Sequence, residues 1–114
     1  MYKVLVVDDE PIHRQEMAKL IKELRNGYEV VEAEHGIQAL ELMKLTEFDI
    51  LIADIKMPLM DGLQLIESLG DKVEKMQVII LSGYDYFDYA KRALKLGACD
   101  YILKPVDEEI VESM

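Results

Sequence analysis

Ile50-Leu51-Ile52-Ala53-Asp54 is four apolar residues in a row, closed by an acid. A strand with one wet face alternates apolar and polar side chains. A strand with no alternation is covered on both faces, which is the mark of a parallel sheet. The same signature lies on either side of it, in Val4-Leu5-Val6-Val7 and Val78-Ile79-Ile80-Leu81, and in the shorter Tyr101-Ile102-Leu103. Tyr28 to Ala33 is interrupted by Glu29 and Glu32 and is expected at an edge of the sheet.

Helical stripes separate these runs. Ile12, Met17, Leu20, Ile21 and Leu24 follow helix spacing with Lys, Arg and Glu between them; Ile37, Leu40 and Met43 form a second stripe, and Leu63, Ile66 and Leu69 a third. Tyr86, Ala90, Ala93 and Leu94 predict a fourth helix stopped by Gly97. Asp107 is the expected N-cap of a fifth, which ends at Met114 after about two turns. Strand and helix thus alternate five times. The fold class is α/β: a doubly wound, five-stranded parallel sheet with helices on both faces and right-handed crossovers.

Composition narrows the function. The 114 residues make one domain, and 51% hydrophobic with 32% charged residues exclude a disordered chain. The net charge of -10 argues against direct nucleic-acid binding, which needs a basic face. The single Cys, Cys99, excludes an internal disulfide, is expected as a small packed spacer, and points to a reducing, cytoplasmic setting. No apolar run reaches the roughly 18 residues of a membrane span, so no membrane association is expected.

The strand ends carry the chemistry. The first strand runs into Asp8 and Asp9, the third into Asp54, the fourth into Ser82 and the fifth into Lys104. In an open parallel sheet the carboxyl ends lie along one edge, where ligands bind at the topological switch point. Three carboxylates and one ammonium leave a net charge of -2, which a divalent, hard cation balances; with few oxygen ligands, Mg²⁺ is the natural choice. Lys104 suits a phosphate as a point charge, and Ser82 can donate a hydrogen bond to one. Asp54 is the candidate nucleophile, since a carboxylate can attack phosphorus to give an aspartyl phosphate.

Four segments together, Val6-Val7-Asp8-Asp9-Glu10, Asp54-Ile55-Lys56-Met57-Pro58-Leu59-Met60-Asp61-Gly62, Leu81-Ser82-Gly83-Tyr84 and Tyr101-Ile102-Leu103-Lys104-Pro105, resemble the receiver domain of bacterial two-component response regulators over essentially the whole chain. The resemblance implies a flavodoxin-like (βα)5 fold with strand order 2-1-3-4-5. It makes Asp54 the phosphoacceptor, charged by a partner histidine kinase. Asp8 and Asp9 become the acidic pair of the Mg²⁺ site, with Asp9 favoured as direct ligand, joined by Asp54 and the Lys56 backbone carbonyl. Ser82 takes the switch-hydroxyl position, Tyr101 the switch aromatic, and Lys104 the phosphate-binding lysine. The domain would assist its own phosphorylation and dephosphorylation without being a turnover enzyme.

Ser82 to Lys91 is similar to receivers attached to AraC-type helix-turn-helix regulators. That similarity implies transcription control by a longer regulator, whose output domain is not in residues 1–114 and would supply any DNA contact. It also admits a homodimer through the face of the fourth helix, fifth strand and fifth helix, although a truncated fifth helix leaves part of that face out.

Other classes share parts of the pattern. A Mg²⁺-dependent phosphohydrolase with an Asp nucleophile needs a second acid where Lys56 stands, and a cap for which 114 residues leave no room. An interaction domain retaining only the fold would not need Asp54, Lys104 and the acidic pair intact. A flavin-binding domain would need a Ser/Thr/Gly-rich phosphate loop after the first strand, which is lacking. His13 and His35 are expected at the surface. Tyr84, Tyr86, Phe87 and Tyr89 fit a core and a partner surface equally well.

Overall fold

The computed structural model describes residues 2–55, 57–82, 87–97 and 100–103. Within them the chain forms β1 (Lys3–Val7), α1 (Pro11–Leu24), β2 (Glu29–Ala33), α2 (Gly36–Leu45), β3 (Ile50–Asp54), α3 (Gly62–Leu69), β4 (Gln77–Ser82), α4 (Phe87–Lys95) and β5 (Asp100–Leu103). All strand pairs are parallel, in the order β2-β1-β3-β4-β5. The interrupted run at Tyr28 to Ala33 supplies the edge strand β2, as its glutamates require. The expected fifth helix lies outside the described residues, as do Lys56, Cys99 and Lys104.

The absence of alternation in the inner strands has the expected cause. Leu5, Val7, Leu51, Ala53, Val78 and Ile80 face one layer, packed with Ala39 and Met43 of α2, Leu63 and Ile66 of α3 and Ala93 of α4. Val4, Val6, Ile50, Ile52, Ile79 and Leu81 face the other, against Met17 and Ile21 of α1. Every residue of β3 is buried. Both faces being covered, β1 and β3 cannot slip by one residue without exchanging one set of packed side chains for the other.

Three stripe residues do not reach this core. Ile12 is 69% exposed, Leu94 52% and Ile37 42%. The buried side of α1 is Arg14, Met17, Ala18 and Ile21. At 100° per residue, Ile12 stands about 140° around the helix from Met17. Leu94 is likewise one step off buried Ala93, and the buried side of α2 runs through Gly36, Ala39 and Met43. A 3-10 helix over Gly70–Lys75, which the periodicity does not predict, bridges α3 to β4 and seats Val73 in the core. Gly97, at φ +109°, ends the α4 segment as expected; a Cβ there would also run into Val73 Cγ1.

Candidate functional site

The chain leaves β1 for the edge strand β2 and returns to β3, so β1 and β3 lie side by side with connections running to opposite directions of the sheet. Ligand crevices open at the carboxyl ends of such a pair. β1 ends at Asp8 and Asp9, and β3 ends at Asp54. Carboxylate oxygens of the three residues lie within 4.8 Å of one another. Asp8 and Asp54 are buried, at 4% and 6% exposure, whereas Asp9 faces solvent.

Local bonds hold this arrangement. The Asp8 N–H donates to the Ala33 carbonyl at 3.2 Å, continuing the β1–β2 ladder by one step. Asp8 Oδ1 accepts from the Glu10 N–H at 2.9 Å, an Asx turn that starts the chain toward α1 with Pro11 in its first turn. The Asp8 carbonyl accepts from Arg14 Nη1 at 2.9 Å. On the other side, the Ile55 N–H donates to the Leu81 carbonyl at 2.9 Å and so fixes β3 just beyond Asp54.

The chain after β3 returns to the end of that strand where α3 begins. The Gly62 N–H donates to the Ile55 carbonyl at 2.9 Å. A Cβ at position 62 would stand 2.8 Å from the Asp54 carbonyl oxygen, so only glycine lets α3 begin this close to the strand end. Asp61 caps α3: its Oδ1 accepts from the Gln64 N–H at 2.8 Å, while Gln64 Oε1 accepts from the Asp61 N–H at 2.9 Å. Between them, the Met60 N–H donates to the Pro58 carbonyl at 2.8 Å around Leu59, whose φ is +70°. That is the pattern of a γ-turn with a positive-φ centre, a strained conformation for a leucine.

The charge of the cluster suits it to a cation. Two unit charges 4.8 Å apart at an effective dielectric of 20 repel by about 3 kcal/mol. The Asp8–Asp54 pair is costly, because the burial of both residues withholds the solvent that would screen it, whereas the pairs with exposed Asp9 are screened. Hard oxygen donors at this spacing fit a divalent ion such as Mg²⁺, which binds through one or two carboxylates and keeps several waters. The three carboxylates could hold such an ion and leave room for a phosphoryl oxygen.

Asp8, Asp9 and Asp54 are therefore brought together as expected. Ser82 is placed by its backbone at the end of β4, one residue beyond Leu81, the partner of Asp54. Tyr101 is placed in β5, paired with Ile80. The side chains of Ser82 and Tyr101 lie outside the description, as do Lys56, Lys104, Tyr84 and Tyr86, and the side chains of Phe87 and Tyr89. His13 is exposed and pairs with Glu10 at 3.2 Å. His35 is half-buried and caps α2, its Nδ1 accepting from the Gln38 N–H at 3.1 Å. Arg14 carries no sequence signal for a site role, because a cation between apolar stripe positions reads as solvent-facing.

Residues 4–114 match the model of the response regulator receiver domain. The uncharacterized transcriptional regulatory protein YesN of Bacillus subtilis is 40% identical over 99% of this chain and 31% of its own length. The REC domain of AraT, a response regulator from Geobacillus stearothermophilus, is 41% identical with a TM-score of 0.86, covering 98% of this chain and 88% of that one. A response regulator from Burkholderia pseudomallei, solved with a phosphorylated aspartic acid, calcium ion and citrate, is 30% identical with a TM-score of 0.86 over 96% of this chain and 63% of its own. The chain spans less than half the length of the curated relatives it matches. Match, topology and acid cluster agree, and the chain belongs to the response regulator receiver domain family, the signalling modules of two-component systems.

Proposed function

We propose that this domain is a phosphorylation switch whose phosphoacceptor is Asp54. The observation that carries the reading is the position of Asp54: buried at the end of β3, with Asp8 and Asp9 oxygens within 4.8 Å. An Asp54 oxygen attacks the phosphorus of a phosphohistidine on a partner kinase. The P–N bond breaks as the P–O bond forms, and the imidazole departs. Asp8, Asp9, Asp54 and the Lys56 carbonyl would hold Mg²⁺, which when bound neutralises charge building on the phosphoryl oxygens. Lys104 supplies a point charge to the phosphoryl group, and Ser82 a hydroxyl donor. The step turns one carboxylate into a group of about -1.5 to -2 with strong acceptor oxygens. Ser82 and Lys104 close on those oxygens, Tyr101 turns inward, and the face formed by α4, β5 and the fifth helix shifts its affinity for a partner, by population shift.

That partner is a second copy in a homodimer or an output domain of the same regulator. In support of residues 1–114 as the receiver unit of a longer transcription regulator, relatives that are two or more times longer are named transcriptional regulatory proteins. An AraC-type output domain, a cytoplasmic setting and the absence of steady turnover belong to the same reading. No helix of the described residues is long and apolar enough to cross a membrane.

Intact-mass measurement after incubation with acetyl phosphate tests it. A gain of one phosphoryl group that needs both Mg²⁺ and Asp54 is expected. No gain in a chain shown to bind Mg²⁺ would leave an interaction domain that has lost phosphorylation. Steady phosphate release without an adduct would instead make the protein a phosphohydrolase.

A further inference from the structure

Arg14 is only 8% exposed, although its neighbours on α1 at positions 13, 15 and 16 face solvent. Its guanidinium is committed in two directions. Nη1 donates to the Asp8 carbonyl at 2.9 Å, and Nε donates to Glu32 Oε1 at 3.1 Å. Glu32 lies on the edge strand β2, in register with Val6 of β1. A planar fork with several fixed donors can make both bonds at once; a lysine cannot reproduce that geometry.

The oxygen that Arg14 holds belongs to the Asp8–Asp9 peptide. That unit is planar, so its orientation sets where the Asp9 Cα lies. The Asp8 N–H is already fixed by the Ala33 carbonyl and Oδ1 by the Glu10 N–H. The Arg14 bond fixes the remaining end, from which the exposed Asp9 side chain projects. We propose that Arg14 is the positioning residue of the acidic pair: anchored by Glu32, it sets the Asp8–Asp9 peptide plane and so the affinity of the three-carboxylate cluster for a divalent cation. This rests on the cluster's being the Mg²⁺ site proposed above.

Charge and positioning predict opposite signs. If Arg14 acted only as a nearby positive charge, removing it would tighten cation binding. If it positions the acids, removing it weakens binding. Mg²⁺ titrations at fixed ionic strength, followed by amide NMR shifts of Asp9 and Asp54, separate the two in the wild type, Arg14→Met, Arg14→Lys, Glu32→Gln and Ile21→Val. Arg14→Met is expected to raise the Mg²⁺ Kd about tenfold, as outer-shell substitutions at metal sites do. Arg14→Lys, which keeps the charge without the fork, falls between it and the wild type. Glu32→Gln keeps an acceptor oxygen and shifts the Kd less than Arg14→Met. Ile21→Val, at a buried position of the same helix, lowers the melting temperature without moving the Kd. An Arg14→Met domain that binds Mg²⁺ as tightly as the wild type, or more tightly, overturns the proposal. Should Arg14→Met not fold, an unchanged Kd in Arg14→Lys overturns it equally. A wild-type domain that binds no Mg²⁺ removes the metal-site reading, and the proposal with it.

Discussion

Neutralising Asp54 should stabilise the metal-free domain. Asp54→Asn deletes two of the three repulsions in the acidic cluster. The Asp8–Asp54 pair is buried on both sides, and oxygens within 4.8 Å at an effective dielectric of 20 give about 3 kcal/mol. The pair with solvent-facing Asp9 is screened and adds a few tenths of a kcal/mol at most. Allowing for the partners that the Asp54 carboxylate has in the fold, which a carboxamide engages less well, the expected net gain is ~2 kcal/mol. For a domain near this size that raises the melting temperature by roughly 10 °C. Mg²⁺ should narrow that gap. A ligand at a hundred times its Kd stabilises the native state by about 2.7 kcal/mol, and Asp54→Asn, short of one carboxylate, gains less of it. Urea denaturation of both proteins in EDTA and in excess Mg²⁺ reads all four stabilities. If Asp54→Asn is no more stable than the wild type in EDTA, or if Mg²⁺ stabilises both equally, the carboxylates do not form one electrostatically strained cation site.

Further substitutions probe the start of α3, next to the end of β3. Gly62→Ala places a methyl 2.8 Å from the Asp54 carbonyl oxygen, so it should cost about 1–3 kcal/mol in thermal denaturation and slow acetyl phosphate labelling by displacing the end of β3. Asp61→Ala removes the capping box of α3 and should cost about 1 kcal/mol in urea denaturation. Leu59→Asn should add about 0.5–1 kcal/mol, measured in the same way. Leu59 is 80% exposed and holds φ +70°, a region where asparagine rests more easily than leucine.

The sheet is largely legible in the sequence because both faces of β1, β3 and β4 are covered. Val4–Val7, Ile50–Ala53 and Val78–Leu81 then read as unbroken apolar runs, and the acids that follow the first two mark the site. Strand order came from family resemblance rather than from periodicity, since an alternating pattern says nothing about which strands pair. Helix faces are less legible. Ile12, Ile37 and Leu94 fit apolar stripes but stand off the packed side, because a few apolar residues at loose spacing do not fix a helix's rotation to better than a third of a turn. Asp61 and Gln64 did carry a local signal, the acid-x-x-Gln spacing of a capping box. Arg14 carried none. Its partners, Glu32 and the Asp8 carbonyl, lie on two strands, and only their assembly in the sheet turns a helix-surface cation into a buried brace.

The central claim, that Asp54 is the phosphoacceptor, is tested most directly by trapping. Borohydride reduces an aspartyl phosphate to homoserine, a permanent change that peptide mass mapping can place. After acetyl phosphate and Mg²⁺, then borohydride, homoserine is expected at position 54 alone, and should vanish when Mg²⁺ is replaced by EDTA. Homoserine at position 8 or 9, or a chain left unchanged throughout, would contradict the account.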